Sequence, residues 1–247
     1  MAKTRVYSNG YFYNLSYEIL NLQCKNTILI LHGWGANKEL MKQAFGQYLK
    51  DYKQIYLDLP GFGNSSTDVA MDSYAYARVV EDFIKTLEIK VDFLMGHSFG
   101  GKVATLMCKQ DTYKGLILLS SAGVVLPKSF KVKFKIALFK ILKHFPYSDN
   151  IRKFFISKDA QGMNEIMYET FKKVVNENLE QEFQSLSNPI LIFWGSEDKA
   201  TPLKSGAIIH SLAKKGKFYS LEGDHFFFLK HAQFISETID KEFAIDA

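Results

Sequence analysis

The stretch "VDFLMGHSFGGKVATLMC", residues 91–108, constrains the fold of this chain more than any other feature. Mostly apolar residues lead into Gly96, as in a buried strand, and a helix-compatible run, residues 102–110, follows. Ser98 stands between them at the centre of a G-x-S-x-G pattern with Gly96 and Gly100. A serine on such a turn has a strained backbone and an exposed hydroxyl, and side chains in place of the glycines would collide with the strand and helix. The pattern predicts a nucleophile, whereas a plain helix cap is the alternative.

The rest of the chain alternates strand and helix patterns. The Asn9-Gly10 pair predicts a hairpin between two N-terminal strands. Helical patterns lie at 38–50 and 73–87 and between most of the later strands. Short apolar runs predict further strands at residues 27–31, 54–58, 91–95, 116–119, 190–194 and 217–221. This order predicts an α/β fold with a mostly parallel sheet and helices on both faces.

The alternation stops between residues 120 and 189, where no strand pattern is evident. Helical patterns such as "MNEIMYETFKKVVNENLEQEFQSL" occupy this interval. We therefore expect an inserted helical lid at residues 123–187, above the carboxyl ends of the strands, where ligands bind in open α/β sheets. Residues 1–122 and 188–247 would then form the core.

Composition narrows the class of protein. A length of 247 residues suits one large α/β domain, with or without an inserted subdomain. No apolar run approaches the roughly 20 residues that span a bilayer, and the start "MAKTRVYSNGYFYNL" lacks the apolar core of a secretory signal. Cys24 and Cys108 belong to no motif, which fits a reducing compartment and predicts no metal site. We expect a cytoplasmic globular protein.

A serine nucleophile needs a general base, and the base needs an acid to orient it. His225 is the predicted base because it follows the last predicted strand in "LEGDHFFF", at the carboxyl edge of the sheet. "IFWGSEDKATP", after the preceding strand, supplies Asp198 as the predicted acid and Glu197 as the alternative. Asp198 is favoured because it lies one residue further beyond the strand.

Two backbone amides are predicted to stabilise the negative oxygen that develops during acyl transfer. One belongs to Phe99, the residue after the predicted nucleophile. The other belongs to Trp34, in the "HGWG" loop after the first central strand. The alternative for this loop is a glycine-rich turn that merely lets the chain leave the sheet.

Five segments carry a resemblance to a known family: "HGWG", "DLPGFGNS", "GHSFGG", "WGSEDKATP" and "GDHFFF". In this order they resemble the α/β-hydrolase family over essentially the whole chain. The resemblance implies a Ser98–His225–Asp198 triad and a lid between residues 120 and 189, with no metal and no organic cofactor.

Within the family, "LHGWG" and "DLPGFGNS" are similar to esterases that cleave the methyl ester of pimeloyl-carrier protein. Those enzymes usually have Trp where this chain has His97. The chain is less similar to C–C hydrolases of ring-fission dienoates, which tend to have Asn at the position of His97 and Trp at that of Phe226. Haloalkane dehalogenases and epoxide hydrolases place Asp where this chain has Ser98.

The predicted lid contains a basic segment, residues 127–155, with eight basic residues against one acid, Asp149. Its excess of seven positive charges exceeds the net charge of +5 of the whole chain. Val132, Ile136 and Phe139 fall among the lysines. The segment predicts either an ordinary solvated helix face or a docking face for an acidic carrier protein or an anionic membrane surface. No nucleic-acid partner is expected, because no binding module is present. The basic residues are Lys128, Lys131, Lys133, Lys135, Lys140, Lys143, Arg152 and Lys153.

These patterns together predict a serine hydrolase that cleaves small carboxylic or thio esters with an apolar acyl part through an acyl-enzyme. Two alternatives stay open. One is a C–C bond hydrolase of the 2-hydroxy-6-oxo-dienoate type on the same residues. The other is a ligand-binding protein of this fold without turnover, against which the complete set of triad residues counts.

Overall fold

The computed structural model describes residues 1–109, 112–126 and 164–243. Its strands are β1 (Ala2–Ser8), β2 (Tyr11–Leu20), β3 (Asn26–Leu31), β4 (Tyr52–Leu57), β5 (Phe93–His97), β6 (Gly115–Leu119), β7 (Ile190–Gly195) and β8 (Gly216–Leu221). Its helices are α1 (Lys38–Phe45), α2 (Ser73–Thr86), α3 (Phe99–Met107), α4 (Glu165–Val174), α5 (Glu180–Ser185), α6 (Leu203–Leu212) and α7 (Phe228–Phe243).

All eight strands form one sheet in the order β1-β2-β4-β3-β5-β6-β7-β8. The six strands from β4 to β8 in this order pair in parallel, and only the β1–β2 and β2–β4 pairs are antiparallel. The prediction of a mostly parallel sheet is confirmed. Gly96 of β5 pairs with Leu31 of β3 and Leu118 of β6, so the end of β5 lies in the middle of the sheet.

Helices cover both faces of the sheet, as predicted, because the central strands are apolar on both sides. On one face α2 and α3 pack into a buried cluster that includes Phe83 and Val103. On the other face α1 and α7 pack through residues such as Phe45 and Ile235. This arrangement fixes the carboxyl ends of the parallel strands as a rigid edge on which a site can be built.

Two predicted elements have different bounds in the structure. The helix predicted at 38–50 ends at Phe45, where Gly46 caps it by donating from its N–H to the carbonyl of Lys42 at 2.8 Å. The strand predicted at 91–95 lies two residues later, because Gly96 and His97 still pair with β6. The strand therefore runs directly up to Ser98.

Most of the predicted lid, residues 127–163 with the basic segment, lies outside the described residues. The described part of 123–187 contains α4 and α5 and no strand. Its position is fixed by Lys102 of α3, whose buried ammonium donates to the carbonyl of Val174 at 2.6 Å and lies 3.4 Å from Glu177. Glu177 also accepts from the amide and hydroxyl of Ser73 at the start of α2. Among the helices of residues 1–109, 112–126 and 164–243, none combines the length and the apolar character that a membrane-spanning helix needs.

Candidate active site

Ser98 occupies the turn between β5 and α3 with φ 50° and ψ −113°, and it is partly exposed. This positive φ is rare for a residue other than glycine and costs about 1–3 kcal/mol. Two main-chain hydrogen bonds hold the turn. Ser98 N–H donates to the carbonyl of Leu119, and Ala122 N–H donates to the carbonyl of Ser98, both at 3.0 Å. The strained backbone expected from the sequence pattern is present, and the serine is partly exposed.

The glycines around Ser98 allow a close approach of strand, helix and neighbouring strand. A Cβ at Gly96 would lie 2.3 Å from the carbonyl oxygen of Gly100. A Cβ at Gly100 would lie 2.5 Å from the carbonyl oxygens of Leu31 and His32. Backbone atoms at such distances cannot move aside without distorting the sheet, so both positions require glycine.

Asp198 and His225 lie together beyond the ends of β7 and β8. His225 Nδ1 is 2.7 Å from Asp198 Oδ2, and the Asp198 side chain is fully buried. Asp198 Oδ1 accepts from the main-chain N–H groups of Ala200 and Thr201 at 2.8 and 2.9 Å. Because the carboxylate accepts, Nδ1 carries the imidazole hydrogen, which leaves Nε2 free to accept a proton.

The charge on Asp198 is stabilised by these bonds. Burial raises the pKa of the Asp198 carboxyl, but the hydrogen bond and charge of His225, with the amide of Thr201, outweigh it and lower the pKa below its ordinary value. The alternative acid, Glu197, is exposed, and its side chain is not hydrogen-bonded to His225. The geometry therefore brings Asp198, and not Glu197, to the histidine.

No hydrogen bond joins Ser98 to this pair, and the contact with it is made by the preceding residue. His97, its neighbour in the chain, lies against His225, with 4.6 Å between the ring centroids. Within the described residues the Ser98 hydroxyl has no hydrogen-bond partner. Contacts between nucleophile and base are often loose without substrate and tighten in the complex.

The two predicted oxyanion amides, of Trp34 and Phe99, flank the serine. Phe99 N–H is the first amide of α3, so the positive end of the helix dipole adds to its attraction for an anion. Trp34 follows Gly33, where an added Cβ would lie 3.2 Å from the Ser98 Cβ. Neither amide donates to a protein acceptor within the described residues, so both are available to a developing negative charge.

Two residues support the site that sequence reasoning did not select. Thr201 Oγ1 lies 2.9 Å from Asp198 Oδ2 and 3.0 Å from the carbonyl of Ser120 and shares its hydrogen between these acceptors. His32 donates from Nδ1 to the carbonyl of Gly33 at 2.8 Å and accepts at Nε2 from Leu59 N–H at 3.0 Å. The Asp-x-x-Thr spacing in "DKAT" was the available signal for Thr201, because such pairs form local capping bonds.

Both buried histidines near the serine are neutral at physiological pH. Burial is the main cause that lowers the pKa of His32 to about 4. Burial, followed by the charge of His225, lowers the pKa of His97 to about 3. The described residues contain no group of three or more His, Cys, Asp or Glu side chains arranged to hold a metal ion.

A model of the alpha/beta hydrolase family matches residues 28–237, which is most of the chain. The chain belongs to the alpha/beta hydrolase family. An uncharacterized hydrolase of Bacillus subtilis, YugF, is 24% identical over 92% of this chain and 93% of its own length. A pimeloyl-[acyl-carrier protein] methyl ester esterase of Neisseria meningitidis is 25% identical over 83% of this chain and 89% of its own.

Solved structures show the same fold. An esterase from Exiguobacterium antarcticum superposes with a TM-score of 0.76 at 19% identity, covering 99% of this chain and 100% of that one. The predictions of the α/β-hydrolase fold and of an enzyme of this family are confirmed.

In this alpha/beta hydrolase an aromatic wall stands beside the two amides. The Trp34 ring contacts the rings of Phe62, Phe99 and Phe171, with centroid distances of 4.9, 5.3 and 5.4 Å. Trp34 and Phe171 are partly exposed, and Phe171 comes from α4. The wall gives the neighbourhood of Ser98 an apolar surface on the side of α4.

Proposed function

We propose that this protein is a serine hydrolase of carboxylic or thio esters with an apolar acyl part. The observation that carries the proposal is the hydrogen bond between a buried carboxylate, Asp198, and His225, beside a strained and partly exposed Ser98. A buried acid, an oriented imidazole and an exposed hydroxyl are the groups that nucleophilic acyl transfer requires.

In the first half of the reaction, Ser98 Oγ attacks the ester carbonyl while His225 Nε2 takes its proton. Asp198 keeps the hydrogen on Nδ1 and stabilises the imidazolium that forms. The carbonyl oxygen becomes negative and accepts hydrogen bonds from the amides of Trp34 and Phe99, each worth about 2.7–4 kcal/mol in the transition state. His225 then protonates the leaving alcohol or thiol, and an acyl-enzyme remains.

In the second half, His225 takes a proton from a water molecule, which attacks the acyl carbonyl. The same two amides bind the second tetrahedral intermediate, and Ser98 recovers its proton as the acid leaves. The partly exposed Trp34 and Phe171 of the aromatic wall support an apolar acyl group, because burial of each CH₂ against them contributes about 0.8 kcal/mol. The Neisseria relative, named as a carrier-protein methyl ester esterase, supports ester chemistry.

The proposal includes a lid at residues 123–187 on a core of residues 1–122 and 188–247. Near the end of this interval the chain returns to its first residue, since Leu179 N–H donates to the carbonyl of Gly123 at 2.7 Å. An excursion that returns to its starting point is the usual form of an insertion between two strands of one sheet.

The proposal also assigns a partner to the basic segment at 127–155: an acidic carrier protein that presents the acyl group. Its support is the charge of +7 in the sequence and the printed name of the Neisseria relative. Replacing Lys131, Lys133, Lys135 and Lys140 by Gln should raise KM for a carrier-bound ester, with a penalty that shrinks as salt screens the attraction. KM for a small neutral ester should not change. Equal kinetics on both substrates at low salt would favour a solvated helix face, and a penalty seen only with anionic vesicles would favour a membrane surface.

The deciding experiment is labelling with a fluorophosphonate probe, followed by turnover of p-nitrophenyl esters of increasing acyl length. The parent should label and hydrolyse the esters, while Ser98→Ala should do neither and should unfold at nearly the parent temperature, because only a partly exposed hydroxyl is removed. A parent that neither labels nor turns over would support a ligand-binding protein. Turnover of a ring-fission dienoate without ester hydrolysis would support the C–C hydrolase.

A further inference from the structure

His97 lies buried between His225 and the loop that contains Gly33. Its Nε2 is 2.9 Å from the main-chain oxygen of His225, and the two rings are in contact. On its other side Nδ1 faces Gly33, where an added Cβ would lie 2.8 Å away. One side chain thus contacts both loops that flank Ser98.

The hydrogen bond fixes which nitrogen of His97 carries the hydrogen. A carbonyl oxygen only accepts, so Nε2 is the donor and Nδ1 holds a lone pair. That lone pair has no partner within the described residues. A buried unpaired acceptor costs free energy, and an aromatic or aliphatic side chain would fill the space without that cost. The position therefore keeps an imperfectly satisfied polar group, and the one bond it makes is to the main chain of His225.

His225 is consequently held at two points. Asp198 holds its ring at Nδ1, and His97 holds its main chain at the carbonyl oxygen. The rings of Phe226 and Phe228 pack against His97, with centroid distances of 5.5 and 4.7 Å, and restrict its movement. Because His97 belongs to β5, the second point is anchored to the same strand that carries the serine turn.

We propose that His97 is a positioning residue whose Nε2–H fixes the main chain of His225 relative to Ser98 and so sets the approach of the imidazole to the serine hydroxyl. The inference rests on the proposed serine hydrolase function. A misplacement of about 1 Å can cost about 100-fold in rate without weakening substrate binding.

The test compares His97→Gln with His97→Met. The Gln amide nitrogen reaches close to the position of Nε2 and can donate, whereas Met has a similar length and no donor. We expect kcat of His97→Met to fall about 10- to 100-fold and kcat of His97→Gln to stay within about 5-fold of the parent, with KM within about 2-fold for both. If His97→Met does not fold, His97→Phe replaces it in the same comparison.

His231→Met is the matched control. His231 Nε2 lies 2.8 Å from the carbonyl of Glu222, so the variant loses the same kind of bond from the loop before His225. The His231 ring has no described contact with His225, so the kinetics of His231→Met should match those of the parent. Equal kcat for His97→Gln and His97→Met, or losses in both that follow their melting temperatures, would overturn the positioning role.

A spectroscopic readout separates this inference from the proposed function. Both variants lose the ring of His97 beside His225, so the two variants are compared with each other. The ring signals of His225 in histidine-labelled protein should differ between them, with the larger departure from the parent in His97→Met. Signals that are the same in His97→Gln and His97→Met would contradict the inference. A parent without ester turnover would refute the proposed function, and the signals of His225 would still decide the role of His97.

Discussion

Replacing Asp198 by Asn should reverse the direction of its hydrogen bond with His225, because the surroundings leave the new amide only one orientation. Oδ1 accepts from two main-chain N–H groups, of Ala200 and Thr201, so an amide NH₂ cannot occupy that position without opposing two donors. The Asn oxygen must therefore face the loop, and its NH₂ must face His225 Nδ1. The imidazole can then accept this bond only by moving its own hydrogen to Nε2, where it can no longer take a proton from Ser98.

The expected loss follows from this change of tautomer. In serine triads it lowers kcat by about 10⁴, which equals about 5.5 kcal/mol at the transition state. The folded state loses less: replacing a charged acceptor by a neutral one costs about 1–3 kcal/mol. Asp198→Asn should therefore be folded at room temperature, with a lower melting temperature and almost no turnover.

The assay is the steady-state kinetics of a p-nitrophenyl ester, with thermal unfolding measured on the same samples. Glu197→Gln is the matched control, because it makes the same chemical change at the exposed neighbouring position. Its kcat should equal that of the parent. A folded Asp198→Asn variant with kcat within about 10-fold of the parent, or a crippled Glu197→Gln variant, would refute the assignment of the acid.

Three further predictions follow from the same structure. Thr201→Val removes the hydroxyl from Asp198 Oδ2 and should lower kcat about 10-fold, equal to 1.4 kcal/mol, and unchanged kinetics would show that Thr201 has no part in the site. Gly96→Ala places a Cβ 2.3 Å from the Gly100 carbonyl oxygen and should lower the free energy of unfolding, measured by denaturant titration, by about 1–3 kcal/mol or more. A denaturant midpoint equal to that of the parent would contradict the close approach. Burial raises the pKa of Asp58, but bonds from the amide and ammonium of Lys38 and from the amide of Asn64 outweigh it and lower the pKa. The stabilisation by Asp58 is thus complete above the ordinary pKa of about 3.9 and is lost as pH falls through the lower folded-state pKa. The melting temperature of the parent should therefore fall more steeply below about pH 4 than that of Asp58→Asn. Parallel plots of melting temperature against pH for the two proteins would argue against the Asp58–Lys38 pair as a source of acid sensitivity.

Much of the core could be predicted from sequence, because its signals are local. The alternation of apolar runs with amphipathic helices is sufficient for a parallel sheet, and the Asn9-Gly10 pair adopts the positive φ angles, 52° and 86°, that the hairpin requires. Bounds were less accurate where tertiary pairing decides them. β5 extends to His97 because β6 pairs with it, which no pattern within residues 91–95 indicates.

In the candidate site, too, local sequence signals were sufficient for some residues, whereas tertiary contacts decide the others. Asp198 and His225 were selected by their place after successive strands, and their 2.7 Å contact agrees with that choice. The bond between Thr201 and Asp198 is local, but those of Thr201 with Ser120, of His32 with Leu59 and of His97 with His225 join segments far apart in the chain. Their chemistry depends on which carbonyl or carboxylate lies opposite, and one sequence does not contain this information.

The contact of Lys102 with Val174 and Glu177 has a consequence for engineering by recombination. Any segment grafted between β6 and β7 in place of α4 and its following turn would remove both partners of this ammonium. A buried charge without a partner costs about 3–5 kcal/mol, a large part of the stability of an ordinary domain. A chimera would therefore need a carbonyl and a carboxylate in the same place, or a core in which Lys102 is exchanged for Met or Leu beforehand. Lys102, one helical turn beyond Ser98, thus limits which grafted segments this core can accept without a loss of stability.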